Sequence, residues 1–364
     1  MSSLPASVLA DVERLIGIRS TADRPDELRH ALEFVLDLVG PGFTVRRFAS
    51  RGKPSAFLTS GPGTPRVILN AHLDVVPGSG AQFTPRLAGD RLYGRGAHDM
   101  KAAAVVLATV FRDVSGSLPF PVGLQLVTDE EVGGFDGTGH QVDSGVRGDF
   151  VVIGEQSGLR VVTESKGILR VRLDASGRPA HAAYPWLGTN ALLAVVEATN
   201  RLISRYPVPA AEEWITTVNV ARIATSNTAA NIVPADASAL LDIRFPPSDP
   251  DLAGHPATAV TAHLASVAGP GVEVTLEALG APHHADPASS SVRLLRAAAQ
   301  QAGYDGSLLR KHGAADGRFY SAQGVDAVIF GPGGDGQHSP DEYLDVRSLG
   351  PYQQALTTFL HSLR

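Results

Sequence analysis

Between Gly167 and Ala278 the chain abandons the rhythm of the residues on either side, and no other feature limits its architecture as much. The order there is strand (ILRVRLDA), helix (NALLAVVEATNRLISRY), strand (TTVNVARIA), strand (ASALLDIRF), helix (LAGHPATAVTAHLASVA), strand (VEVTLEA). A β-α-β-β-α-β run describes a ferredoxin-like unit, one antiparallel sheet with two helices on one face, and it cannot easily extend a parallel sheet. Outside it, runs of Val, Ile and Leu alternate with helical periodicity, the pattern of a sheet whose crossover helices cover both faces. Strands are expected at residues 44–48, 56–59, 67–71, 123–128, 150–153 and 327–330, and helices at 7–18, 26–39, from 100 onward, 291–302 and 349–363. The 364 residues suit two domains. The expected fold is α/β: a discontinuous, mostly parallel-sheet domain of residues 1–166 plus 280–364, interrupted by a ferredoxin-like domain of residues 167–279.

Open α/β sheets bind ligands beyond the carboxyl ends of their strands. His72-Leu73-Asp74 follows VILNA, Asp129-Glu130-Glu131 follows GLQLVT, Glu155 follows VVIG, and His338 follows AVIF across the turn GPGGDGQ. Asp99 precedes an apolar helix in GRGAHDMK. Two imidazoles and several carboxylates thus converge on one rim. Carboxylates so crowded repel one another, and a divalent cation removes that penalty. The chain has no Cys, which excludes disulfides, iron–sulfur clusters and thiolate-built zinc sites. His and carboxylate donors suit zinc or a similar ion, and their number fits a two-metal site, with about 3.5–4 Å between ions, better than one closed tetrahedron. A binuclear metal centre is expected, with cobalt or manganese as alternatives to zinc. A net charge of -6 spread along the chain leaves no footprint for nucleic acid or anionic lipid. No basic region precedes an apolar run at the start, and no window of about 18 apolar residues occurs. The expectation is a cytoplasmic protein with no membrane partner.

Seven segments, in order, resemble the M20 metallopeptidase and deacylase family: HLDVVP at 72–77, RLYGRGAHDMKAA at 91–103, TDEEVGG at 128–134, VIGEQSG at 152–158, GRPAHAAYP at 177–185, NIVP at 231–234 and GQHSPDEY at 336–343. The resemblance is to the group of acetylornithine deacetylase, succinyl-diaminopimelate desuccinylase and carboxypeptidase G2, with the inserted domain where that family carries its lid. It implies that Asp99 bridges two ions, that His72 and Glu155 complete one and that Glu131 and His338 complete the other. It also implies a cis peptide at Asp99–Met100. The segment HGAADGRF departs from the Gly-Thr-Ser-Asp pattern of relatives, since Ala314 and Ala315 carry no hydroxyl.

Neighbouring side chains on an extended segment point in opposite directions, so Glu130 and Glu131 cannot both face one ion. Glu130 is then free to act as general base, taking a proton from the attacking water that bridges the ions and passing it to the leaving nitrogen. Asp74 is expected to support His72, because metal-binding imidazoles usually give their second N–H to a carboxylate. Asp129 reads equally as a strand-end cap. His98, His140, His283, His284 and His312 carry no assigned role, and His98 is expected to be exposed. His181 lies in a turn where an imidazole donor could stabilise an oxyanion. The family brings this histidine from the lid of a partner subunit, which implies a homodimer through the inserted domain. The resemblance also implies substrate contacts from Asn231 and Arg244, the latter pairing an α-carboxylate. The expected activity is hydrolysis of the amide bond of N-acyl amino acids, small molecules with a free carboxylate. A dipeptidase or carboxypeptidase uses the same metal rim, and a non-catalytic scaffold is the remote alternative.

Overall fold

The computed structural model describes residues 6–363. The chain forms two compact units. One comprises the residues up to Thr163, His284–Arg310 and the chain from Ala315 onward; the other comprises Glu164–His283 and Lys311–Ala314. Lys311–Ala314 was expected with the first unit. A four-residue detour is too short to carry a periodicity of its own.

In the first unit the sheet runs, in spatial order, Thr44–Ser50, Lys53–Thr59, Val122–Val127, Val67–His72, Phe150–Ile153, Asp326–Ile329 and Val161–Ser165. The four strands from Val122–Val127 to Asp326–Ile329 are parallel, and antiparallel pairs flank them. All residues of Val67–His72, Val122–Val127 and Phe150–Ile153 are buried, as strands covered on both faces must be. The helix Lys101–Val114 covers part of one face. Its residues 101–111 are all buried, because Ala102, Ala103, Ala104 and Ala108 let the sheet and the helices Ala6–Gly17, Pro25–Val39 and Leu349–Ser362 approach closely. With the faces closed, the carboxyl ends of the strands remain as the open edge.

A small sheet, unexpected because its strands have only two or three residues, orders Gly334–Asp335, Tyr343–Asp345, Arg91–Tyr93 and Arg86–Ala88. Tyr343 pairs with Tyr93. This pairing sets the 336–342 loop against the turn 94–100.

In the second unit the order is Thr217–Ala224, Asp236–Phe245, Gly167–Ser176, Glu273–Gly280, antiparallel throughout. That is the ferredoxin-like arrangement of β-α-β-β-α-β. Along Gly167–Ser176, Leu169, Val171, Leu173 and Ala175 are buried while Arg170, Arg172 and Ser176 are exposed, so one face meets the helices Ala191–Arg205 and Ala257–Ala268. The second helix begins at Ala257 rather than at Leu252, because Gly254 is left-handed at φ 74° and Pro256 sits at the N-cap. No helix among the described residues is long and apolar enough to cross a membrane.

Candidate metal centre

His72 ends the central strand Val67–His72 and is buried. Its Nε2 donates to Asp99 Oδ1 at 3.0 Å and its Nδ1 to the carbonyl of Asp74 at 3.0 Å. Asp99 lies in the turn before the helix Lys101–Val114, and the Asp99–Met100 peptide is cis. Its other oxygen, Oδ2, accepts from Gln337 Nε2 and lies 3.5 Å from His338 Nε2. His338 Nε2 also donates to the Glu131 carboxylate at 3.1–3.2 Å. Ligand-capable atoms of Asp99, Glu131 and His338 all lie within 4.8 Å of one another. Glu155, just after Phe150–Ile153, is 5% exposed.

Glu130 and Glu131 stand on one turn of 3-10 helix, Glu130–Val132, and not on the extended segment expected. With three residues per turn their side chains still diverge, by about 120°. Asp74, fully buried, fixes this turn by accepting from Glu130 N at 3.2 Å and Glu131 N at 3.0 Å. It stands beside His72 as well: the imidazole bonds the Asp74 carbonyl, and the Asp74 carboxylate, 3.6 Å from Nδ1, favours the ring's charged form. Asp129, also buried, accepts from Asp136 N at 2.7 Å and so shapes the loop that follows. His98 is buried at 7% exposure, packed beside Gly334, because the small sheet covers its turn.

The charges of this cluster call for a cation. Burial, then the charge of Glu155, pushes Glu130 well above the usual carboxylate range. Burial also raises Glu131, against the pull of His338. For His72, burial opposes charging, yet its hydrogen bonds to Asp74 and Asp99 leave it well above the ordinary imidazole value. His338 is pushed up to about 10 by the hydrogen bonds it gives to Asp99 and Glu131. Carboxylates and imidazoles that hold protons this firmly against one another are the donor set a divalent ion replaces protons in. The residues present therefore fit a metal of the zinc type.

His181 and Asn231 meet in the second unit, where Ala182 N donates to the Asn231 carbonyl at 2.9 Å and His181 bridges to Ile232. Both are exposed. His181 Nδ1 accepts from Ala183 N at 3.1 Å, which places the proton of the neutral ring on Nε2. Arg244 is engaged elsewhere: Asp242 holds its fork at 2.6 and 3.1 Å. Two polar residues that the sequence reading passed over touch the first-unit site directly. Gln337 bonds Asp99, and Glu342 accepts from the backbone of His98 and Asp99. Both fall inside the segment GQHSPDEY, whose density of polar residues after a strand was the available signal.

A mostly parallel sheet with His and carboxylate donors gathered at its carboxyl edge defines the class, a metal-dependent hydrolase. A family model described as Peptidase family M20/M25/M40 matches residues 68–362, and the chain belongs to that family. It is therefore a metal-dependent hydrolase of amide or peptide bonds. The succinyl-diaminopimelate desuccinylase of Bordetella pertussis is 28% identical with 99% of each chain aligned. A probable carboxypeptidase of Aspergillus terreus is 34% identical over 213 residues, 54% of this chain and 48% of that one. A tripeptidase from Staphylococcus aureus, 20% identical, shares the fold with a TM-score of 0.78 over 97% of this chain and 96% of that one.

Proposed function

We propose that the chain is a binuclear zinc-dependent hydrolase that cleaves the amide bond of N-acyl amino acids. One observation carries the reading: the two oxygens of a single carboxylate, Asp99, face two imidazoles, with Oδ1 at 3.0 Å from His72 and Oδ2 at 3.5 Å from His338. A carboxylate so flanked is disposed to bridge two ions. His72 and Glu155 would hold one ion, Glu131 and His338 the other. Such ions acidify water and polarise the scissile carbonyl. Glu130, held beside the ligands by the Asp74 cap, accepts the proton of the attacking water and returns it to the leaving nitrogen. Its raised affinity for a proton suits it to both steps. His181, with its proton on Nε2, is an oxyanion donor. Asn231 contacts the substrate, and Arg244 pairs its carboxylate by sharing its fork with Asp242. The second unit makes a homodimer.

An amide deacylase agrees with the desuccinylase aligned over the whole chain. A dipeptidase or carboxypeptidase is the second reading, favoured by the carboxypeptidase and tripeptidase likenesses. The deciding experiment is metal analysis of the purified protein with hydrolysis assays on acetylornithine, succinyl-diaminopimelate, other N-acyl amino acids and dipeptides. About two zinc ions per chain with turnover of N-acyl amino acids supports the proposal. Full activity after metal stripping overturns it, and turnover of dipeptides alone selects the second reading.

A further inference from the structure

Arg95 and Glu342 lie 247 positions apart and form an ion pair with almost no exposure to water, 3% and 2%. Glu342 Oε2 accepts from Arg95 Nη1 at 2.5 Å. Its other oxygen accepts two backbone N–H groups, those of His98 and Asp99, each at 3.1 Å. Arg95 in turn donates from Nη2 to the carbonyl of His338 at 3.3 Å. One pair thus grips the backbone of two residues whose side chains face each other across the metal centre. His338 needs such a grip. Its φ of 62° lies in the left-handed region, which a side-chain-bearing residue keeps only when its surroundings impose it. Gln82 adds a second strut, donating from Nε2 to the next carbonyl, Ser339 O, at 3.1 Å, while Ser79 N and Arg95 N bond to its own oxygens at 2.9 and 2.7 Å.

A buried ion pair adds little net stability over apolar packing of the same volume. What this one contributes is geometry. We propose that Arg95 and Glu342 are positioning residues that set the metal affinity of the Asp99, Glu131 and His338 cluster, by locking the Asp99 turn and the His338 loop in register. Neither side chain touches a reacting atom. The inference rests on the metal-centre reading above and extends it to two residues that hold ligands without being ligands.

The test uses the whole chain in four forms beside wild type: Glu342→Gln, which keeps an acceptor oxygen but leaves Arg95 unneutralised; Arg95→Lys, which keeps the charge but not the fork; the double variant Arg95→Met with Glu342→Gln, which strands no buried charge; and Leu360→Ala, a cavity in the hydrophobic core outside the Asp99 turn and the His338 loop. Zinc affinity is read by competition with a chromophoric chelator, and stability by thermal unfolding with and without zinc. Each of the first three should lose about 10–100-fold in zinc affinity, the usual weight of groups that orient ligands, with kcat recovering at saturating zinc. Leu360→Ala should lose stability and keep wild-type affinity. The double variant decides if either single variant fails to fold. Wild-type zinc affinity in the folded variants, or an equal loss in Leu360→Ala, overturns the inference. A wild-type protein that binds no zinc would instead refute the metal-centre reading itself, so the two failures are distinguishable.

Discussion

Replacing Gly134 by Ala should cost stability and turnover together. Gly134 closes the turn that carries Glu130 and Glu131, with its N–H on the Asp129 carbonyl at 2.8 Å and a left-handed φ of 67°. A Cβ there would stand 2.1 Å from Asp316 Oδ1 and 3.0 Å from a Phe319 ring carbon. Asp316 has little freedom to yield: it is 1% exposed, and its other oxygen accepts from Thr138 Oγ1 at 2.6 Å. The left-handed backbone costs Ala about 1–2 kcal/mol, and overpacking adds about 1–3 kcal/mol, for a total of roughly 2–5 kcal/mol. Gly145 supplies the control, because it shares a positive φ, 89°, but a Cβ there meets nothing within 4 Å. Gly145→Ala should therefore lose only the backbone share, about 1–2 kcal/mol, and keep its kcat. Urea unfolding with unchanged m-values reads the stability difference, and initial hydrolysis rates in metal-loaded protein read the displaced Glu130. Equal destabilisation of the two variants, or full turnover in Gly134→Ala, would refute the reasoning.

Glu130→Gln should keep its metal yet lose about 10²–10⁴ in kcat, since the amide is nearly isosteric but cannot accept and pass on a proton; retention of more than a tenth of wild-type kcat by metal-loaded protein would sink the general-base role. Mixing His181→Ala with Glu130→Gln subunits should restore one working site per heterodimer if the imidazole acts across subunits, and no recovery after confirmed subunit exchange would rule that out. His338, whose proton is held up to about pH 10 by Asp99 and Glu131, must release it to bind an ion, so zinc uptake at neutral pH should expel protons and tighten as pH rises. Calorimetry in two buffers of different ionisation enthalpy measures that release, and identical heats in both would contradict it. In metal-free protein the sign reverses for folding: the raised value means that the His338 contacts stabilise fully below about pH 6.5 and lose that contribution as pH climbs through about 10.

Much of this molecule is decided locally and so could be read along the chain. Continuous apolar runs such as Val122–Val127 declare a strand buried on both faces, and the alternation of Leu169, Val171, Leu173 and Ala175 declares a strand covered on one. A residue at or just after the end of a parallel strand lands at its carboxyl edge, which is why the sequence alone gathers His72, Glu130, Glu131 and Glu155 on one rim. The change of element order at Gly167 likewise announced a second sheet. Periodicity reports only which face of an element is turned inward. It is silent about which distant groups meet there.

Tertiary structure alone decided those meetings. The sequence placed Arg95 and Glu342 in separate segments, and only the pairing of Tyr93 with Tyr343 across two very short strands closed the distance between them. The same small sheet buried His98, which the sequence left on the surface. Arg244 keeps its place on its strand, and its fork bonds Asp242, because residues two apart on a strand share one face. Proton affinities follow the same rule. Glu130 and His338 are ordinary acid and base in the sequence; burial and the charges of Glu155, Asp99 and Glu131, brought from other strands and loops, shift both. Local chemistry fixes what each residue is able to do, and long-range closure fixes what it faces, because the energy of a contact depends on distance in space and not on separation along the chain.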